Sequence, residues 1–229
     1  MSIITLDFET YYDKAFSLSK MTTEEYIRHD QFEVIGVAVA EDDGVPIWYS
    51  GSREFLKNCL SQYDWANSLL LAHNTMFDGA ILNWHFGIKP KGYLDTLCMA
   101  RATHGVEAGG SLKALAERYQ IGQKGTEVND ALGKRRVDFS EEDLAQYGKY
   151  CVNDVALTKK LFDILQKTFP TKELKVIDVT LKMFIQPSLV LQRELLTQHL
   201  ENVKNLKAKL LEEAGAELED LMSNSKFAE

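Results

Sequence analysis

Two carboxylates within an apolar segment near the N-terminus constrain the fold more than any other feature of this sequence. Residues 2–8 are typical of a buried strand, and Asp7 and Glu9 lie two positions apart at its end. Because side chains alternate across a strand, both carboxylates point to one face and Phe8 points to the other. Two neighbouring anions are costly to bury unless a cation lies between them. The segment is therefore either a metal site or a strand end, where Asp7 caps a turn and Glu9 is solvated.

The composition does not indicate a membrane or secreted protein. Of the 229 residues, 45% are apolar and 26% are charged, and no apolar run approaches the roughly 18 residues that span a bilayer. The N-terminus lacks the basic flank and cleavage site of a signal peptide. Cys59, Cys98 and Cys151 form no CxxC pair, which predicts reduced thiols used as small core residues. We therefore expect a cytoplasmic protein without a membrane partner.

The net charge of −8 argues against a surface that binds nucleic acid strongly by neutralising its backbone. It does not exclude an enzyme that binds nucleic acid through metal ions in an acidic pocket. The basic cluster at 134–136, with Lys124 upstream, is either a solvated loop or a phosphate contact.

The apolar pattern predicts an α/β protein. Strand candidates are 2–8, 32–40, 45–49 and 68–73, and the turn at 41–44 makes the second and third strands antiparallel neighbours. After residue 73 the spacing is mostly helical, at 77–87, 95–104, 111–120 and 141–168. This order predicts a mixed sheet covered by helices, not a strictly parallel one.

Residues 168–171 indicate a boundary, and helices are predicted beyond it at 173–186 and 188–222. In the second of these helices an apolar residue recurs every seven positions, beginning at Leu189 and Leu196. Such a stripe has to be buried against the same domain, against sequence absent from this chain, or against a second copy.

Two further motifs contribute carboxylates. Asn74 and Asp78 follow an apolar run, at a strand end of the kind where α/β sheets bind ligands. Alternatively, Asn74 is only the N-cap of the next helix and Asp78 an acidic residue that interacts with the helix dipole in its first turn. Tyr150 and Asp154 lie four residues apart on one face of the longest predicted helix. An aspartate in that position is costly without a partner. Taken alone, Tyr150 also fits a core aromatic residue and Asp154 an exposed one.

The order of the three motifs resembles the tyrosine branch of the DEDD exonuclease superfamily. These motifs are Asp-x-Glu on a strand, Asn-x-x-Phe-Asp at a helix start and Tyr-x-x-x-Asp on a helix. That branch includes the proofreading domains of family A DNA polymerases and RNase D. The segment 111–119 also resembles a helix of those polymerase domains, and 177–226 resembles the lead-in to a polymerase thumb. The histidine branch would place a histidine where this chain has Lys149.

The resemblance implies a fold and a metal site. The fold would be an RNase H-like mixed sheet covered by helices and followed by a long C-terminal helical segment, with domains at 1–170 and 171–229. Two divalent ions, Mg²⁺ or Mn²⁺, would be held by Asp7, Glu9, Asp78 and Asp154, with Asp7 bridging both. Tyr150 would orient the attacking water by hydrogen bonding. A phenol with an ordinary pKa near 10 stays protonated at neutral pH, so a role as general base is not expected.

The resemblance also implies a substrate. The enzyme would remove nucleoside 5′-monophosphates from the 3′ end of single-stranded DNA. Its substrate contacts would include Thr10, Tyr11, Asn74 and Phe77. Tyr11 and Tyr12 could stack on terminal bases or could pack in the protein.

The chain would then be a fragment of a longer, phage-type DNA polymerase that acts in replication, with the polymerase domain as its partner. The first alternative is the same chemistry on RNA, as in RNase D. Others are a nucleic-acid-binding module that does not cleave, and an interaction protein that functions through the 188–222 helix.

Overall fold

The computed structural model describes residues 2–124 and 131–227. It contains five strands: β1 Ile3–Thr10, β2 Val34–Glu41, β3 Ile47–Tyr49, β4 Leu69–Ala72 and β5 Gly92–Asp95. The helices of the described residues are α1 Thr23–Arg28, α2 Arg53–Leu60, α3 Thr75–Phe86, α4 Thr96–His104, α5 Leu112–Tyr119, α6 Glu141–Leu165, α7 Thr171–Ile185, α8 Arg193–Ala214, α9 Leu218–Leu221 and α10 Asn224–Phe227. None of these helices is long and apolar enough to cross a membrane.

The sheet is mixed, with the strand order β3-β2-β1-β4-β5. β1 is central, antiparallel to β2 and parallel to β4, and the hairpin predicted between β2 and β3 is confirmed. Asp7 lies opposite Ala38 and Glu9 opposite Gly36. The acidic pair is therefore at the end of the middle strand, where helices from both sides of the sheet can reach it.

Alternation along β1 divides the core into two layers. Ile4, Leu6 and Phe8 pack on one face, in a cluster that also receives side chains from α1, α2, α3 and α7. The other face carries Asp7 and is covered by α4, α5 and α6, which form a second cluster through Leu115 and Leu161.

The long helix α6 crosses the sheet beside the acidic pair. It begins at Ser140, whose side chain accepts a hydrogen bond from the Asp143 N–H. Gly148 allows a close approach, because a Cβ added there would lie 2.5 Å from the Trp48 side chain. α6 thereby holds its polar face, with Tyr150 and Asp154, against the end of β1.

The fifth strand was not predicted. β5 is only four residues long and includes Gly92 and Asp95, two residue types that strands disfavour. It pairs in parallel with β4 and forms an edge of the sheet. α7 packs on this edge, where the Asp178 carboxylate accepts a hydrogen bond from the Tyr93 N–H at 2.8 Å.

The chain divides into two compact units, 1–187 and 188–229, rather than at residue 170. The first unit extends further than predicted because α7 is part of its core: Leu181 and Ile185 are buried. In addition, the side chains of Asn83 and Trp84 donate hydrogen bonds to the Ile185 carbonyl oxygen.

The second unit contains α8, α9 and α10. The predicted helix at 188–222 is shorter in the structure, since it begins at Arg193 and ends where Gly215 adopts a left-handed φ of 62°. No residue of α8 is buried. The apolar positions Leu189 and Leu196 are exposed, so what covers this stripe stays a prediction.

Candidate active site

Four carboxylates from three elements meet at the end of β1. Asp7 and Glu9 come from β1, Asp78 from the first turn of α3 and Asp154 from the middle of α6. Burial, and after it the negative charge of Asp154, raises the pKa of Asp7 to about 7. Burial and then Asp7 raise the pKa values of Glu9 and Asp78 well above their ordinary range. The four predicted carboxyl groups therefore form one cluster, in which the ionisation of one group disfavours the ionisation of the others.

Asp78 is held in place from two directions. It is buried, and its Oδ1 accepts a hydrogen bond from the Phe8 N–H at 3.0 Å, which ties α3 to β1. Asn74, just before α3, has a left-handed φ of 82°, a conformation that asparagine tolerates. The turn is fixed by Asp95, whose carboxylate accepts hydrogen bonds from the backbone N–H groups of Asn74 and Thr75.

Asp95 also accepts hydrogen bonds from Leu97 N–H and Cys98 N–H, at 2.8 and 3.1 Å, so that it caps α4 as well. One buried carboxylate therefore anchors the N-termini of two helices. Sequence reasoning missed this residue, although an aspartate directly before a helical pattern is a recognised N-cap signal.

Two tyrosines of α6 contact the cluster. The Tyr147 hydroxyl donates a hydrogen bond to Glu9 Oε2 at 2.5 Å, and Tyr150 is hydrogen-bonded to Asp154. Burial, together with these carboxylates, raises the pKa of both phenols, so both are neutral at neutral pH. Tyr147 was not predicted as a site residue. Its spacing of three from Tyr150 and seven from Asp154 places all three on one helix face.

A cavity of about 360 Å³ opens at Asp7 and Asp154, which line it together with basic side chains. Its lining includes Arg101, Ser111 and Lys124. The Lys124 ammonium lies 2.6 Å from Asp154 Oδ2 and 5.2 Å from the centre of the Tyr150 ring. A cation thus already contacts one of the four carboxylates.

A second groove, of about 370 Å³, is lined by Glu9 and shares no lining residue with the first cavity. Thr10 and Phe77, two of the predicted substrate contacts, line it together with Tyr12. Tyr11 does not, because its ring is buried beneath the Arg135 guanidinium and its hydroxyl donates a hydrogen bond to Asp13. Stacking of a base on Tyr11 is therefore incompatible with this structure, which places Tyr12 at the groove.

Two residues of the basic cluster have intramolecular partners. Arg135 forms an ion pair with Glu33 at 2.8 Å, and Arg136 donates hydrogen bonds to Glu33 from its backbone and to Ser50 from its guanidinium. These contacts attach the segment to the start of β2. The cluster is therefore neither a fully solvated loop nor a free phosphate site.

The cluster of carboxylates fits hard divalent cations. All four predicted ligands offer oxygen atoms, which Mg²⁺ and Mn²⁺ prefer. The raised pKa values of Asp7, Glu9 and Asp78 show that their negative charges are poorly compensated by the protein alone. A bound cation would supply that compensation.

Comparison with known sequences agrees with this site. Residues 23–170 match the family described as 3′–5′ exonuclease, DNA_pol_A_exo1. The chain belongs to this family. The matched region of the exonuclease contains Asp78, Tyr150 and Asp154, whereas Asp7 and Glu9 precede it. The match ends at residue 170, so the resemblance of the later segment to a polymerase lead-in stays a prediction. No curated protein matches the sequence.

Solved structures show the same fold at low sequence identity. Brucella melitensis NrnC bound to pGG has 16% identity over 80% of this chain and 81% of that chain, with a TM-score of 0.55. The same protein with bound Mg²⁺ has 15% identity over the same shares and a TM-score of 0.54. Trypanosoma brucei RNase D in complex with RNA U12 has 15% identity over 83% of this chain and 65% of that chain, with a TM-score of 0.57.

The exonuclease is thus of the DEDD type, with an RNase H-like α/β fold. Enzymes of this type use two divalent metal ions, which confirms the cofactor prediction for the family.

Proposed function

We propose that this exonuclease hydrolyses single-stranded DNA from the 3′ end and releases nucleoside 5′-monophosphates. One observation supports the proposal: the carboxylates line both a cavity that contains basic side chains, through Asp7 and Asp154, and a groove that contains aromatic side chains, through Glu9. The 3′ end of a DNA strand can use both the groove and the cavity, because its bases stack on aromatic rings and its phosphates attract cations.

The groove would hold the terminal nucleoside. Phe77 and Tyr12 offer rings to its base, and the Thr10 side chain lies beside them. Base–aromatic stacking contributes about 1–3 kcal/mol per base and tolerates any sequence. In the cavity, Arg101 and Lys124 would contact a phosphate of the remaining strand.

Asp7, Glu9, Asp78 and Asp154 would together hold the two metal ions through their carboxylate oxygens. When bound, divalent ions of this kind activate the attacking water and neutralise charge on the leaving oxygen.

The two tyrosines would position the reacting groups. The pKa of Tyr150 is raised, so its neutral hydroxyl is suited to hold the attacking water by hydrogen bonding and unsuited to remove a proton. Tyr147 holds one oxygen of Glu9 and fixes the orientation of that carboxylate.

The test is digestion of a 5′-labelled single-stranded DNA oligonucleotide with Mg²⁺ or Mn²⁺. We expect a ladder that shortens from the 3′ end and disappears in EDTA and in the Asp7→Ala/Glu9→Ala variant. Asp163→Ala is the matched control, because this α6 carboxylate is partly exposed and pairs with Lys159 away from the cluster. A folded wild-type protein that degrades nothing with either metal would contradict the proposal.

RNA is the second candidate substrate. The structures of similar fold include NrnC bound to pGG and RNase D in complex with RNA, which favours an oligoribonucleotide. Matched DNA and RNA oligonucleotides digested side by side decide between the two. A higher kcat/KM on RNA would transfer the proposal to an exoribonuclease.

A role in proofreading is a separate part of the proposal. It depends on the resemblance of 177–226 to the lead-in of a polymerase thumb. The mass of the native protein tests it, because a polymerase would make the chain much longer than these 229 residues.

A further inference from the structure

A thiol faces the two carboxylates of β1. Cys151 follows Tyr150 on α6, and its Sγ lies 3.2 Å from the Asp7 carbonyl oxygen and 3.5 Å from Asp7 Oδ2. One ligand atom each from Asp7, Glu9 and Cys151 lies within 4.8 Å of the other two. Among the described residues, no other three side chains of histidine, cysteine, aspartate or glutamate come together in this way.

Packing does not require a sulfur atom at this position. Cys151 is buried against Ala38, Ala40 and Val155, where an alanine methyl group would also be apolar and small. What the thiol adds is a soft ligand beside hard ones. Thiolates favour Zn²⁺ and related ions, whereas Mg²⁺ is bound through oxygen.

The spacing suits a tetrahedral site. A zinc ion with bonds of about 2.3 Å to sulfur and about 2.0–2.2 Å to carboxylate oxygen separates these two ligands by roughly 3.5 Å. The Sγ–Oδ2 distance of 3.5 Å equals that separation before any rearrangement. Asp7 lines the 360 Å³ cavity, which offers a route for the ion.

We propose that Asp7, Glu9 and Cys151 form a binding site for a thiophilic divalent cation such as Zn²⁺ or Cd²⁺, and that this ion inhibits the enzyme. The inference rests on the proposed two-metal site, because inhibition follows from the capture of Asp7 and Glu9. On binding, the S–H bond breaks, the proton passes to water and a metal–sulfur bond forms. No atom is oxidised or reduced.

The first experiment reads the metal–sulfur bond directly. Metal-free protein is titrated with Cd²⁺ while the ultraviolet thiolate-to-cadmium charge-transfer absorption is recorded. The Cys59→Ala/Cys98→Ala variant keeps Cys151 as its one thiol and should retain the band. Cys151→Ala should lose it, with folding checked by circular dichroism. A band that is absent from wild type, or that persists in Cys151→Ala, would overturn the proposal.

A third variant tests the role of the carboxylate. Asp7→Asn removes one of the three ligands, so the Cd²⁺ concentration at half-maximal absorption should rise by at least about tenfold. An unchanged midpoint would indicate a lone thiol rather than a site and would also overturn the inference.

The second experiment links the site to activity. With Mg²⁺ present, the Zn²⁺ concentration that halves the rate should be at least about tenfold higher for Cys151→Ala than for wild type, each normalised to its own rate without Zn²⁺. Equal values would refute inhibition through Cys151. Failure of the proposed function looks different, since the wild type would then show no Mg²⁺-dependent digestion while the cadmium band could still form.

Discussion

At the scale of single residues, the ionisation of Asp7 links the site to the stability of the protein. Its pKa is about 7 in the folded metal-free protein, against an ordinary value of 3.8, because of burial and the nearby Asp154 charge. The folded state therefore binds this proton more tightly than the unfolded state does. The resulting stabilisation is complete below the unfolded pKa and is lost as the pH rises through about 7.

We therefore predict that in EDTA the melting temperature falls between about pH 5 and about pH 8. Asp7→Asn, which stays neutral, should flatten this dependence, and thermal melts across the range provide the measurement. Added Mg²⁺ should raise the melting temperature most at the upper end of the range, where the ligands are ionised. A wild-type profile that rises with pH in EDTA would contradict this assignment.

We expect the positive charge of Lys124 to affect the binding of metal ions at Asp154. Its ammonium lies 2.6 Å from Asp154 Oδ2, where it competes with any cation that Asp154 holds. We predict that Lys124→Met lowers the dissociation constant for Mn²⁺ severalfold, as measured by isothermal titration. Lys134→Met is the control, because Lys134 lies over the Phe139 ring, away from the cluster. Weaker binding by the Lys124 variant would show that the lysine supports the metal site.

The sequence indicated most of the candidate site residues, for a physical reason. Asp7, Asp78 and Asp154 each lie in a motif tied to a strand or helix, so periodicity predicts their direction. Tyr11 was named as a substrate contact from the resemblance, whereas in the structure its ring lies beneath Arg135, beyond a shift in the register of β1 and β2 between Glu9 and Thr10. A bulge changes which way the following side chains point, and a simple alternation rule does not include it.

At the scale of secondary-structure elements, α6 and the β2–β3 hairpin were predicted well, whereas the ends of α8 and the strand β5 were not. The prediction for α6 differs from the structure only near its C-terminal end. β5 was missed because a strand of four residues has no clear period. Contacts distant in sequence, such as Asp95 with the start of α3, were beyond the reach of a local pattern.

Close packing of α6 on Trp48 gives an element-scale prediction. Gly148→Ala should destabilise the protein by about 1–3 kcal/mol, because the added methyl group must displace the Trp48 ring. The cost of displacing the ring should exceed the stabilisation of about 1 kcal/mol that alanine gives over glycine through its higher helix propensity. Chemical denaturation measures the difference, with the exposed neighbour Lys149→Ala as control. A Gly148 variant as stable as that control would show that Trp48 moves aside freely.

The cap that Asp95 provides for both α3 and α4 gives a second prediction at the scale of the elements. Asp95→Ala leaves backbone N–H groups of α3 and α4 without their acceptor, so the free energy of unfolding should fall by about 1–3 kcal/mol. Because Asp78 lies in the first turn of α3, kcat should fall as well. Denaturant melts and rates at saturating Mg²⁺ give the two readings, with Asp163→Ala as reference. Unchanged values for both would mean that water replaces the carboxylate.

At the scale of the whole molecule, the position of the boundary can be tested by truncation. The fragment 1–187 should melt within a few degrees of the full chain, because the core of the first unit is complete. The fragment 1–170 lacks α7, so it loses the buried Leu181 and Ile185 and should fail to fold cooperatively. Circular dichroism melts of both fragments decide the matter. Equal melting of the two would restore the boundary predicted after residue 170.

The placement of α7 also has a consequence for solubility. An outer strand with free N–H groups invites pairing with a strand from another molecule. Here the Asp178 carboxylate of α7 accepts a hydrogen bond from the Tyr93 N–H of β5. The helix also lies close to Gly92, because a Cβ added to that glycine would be 3.1 Å from Asp178 Oδ1. We therefore expect α7, a helix that contributes no catalytic group, to oppose the addition of a strand from another molecule at this edge.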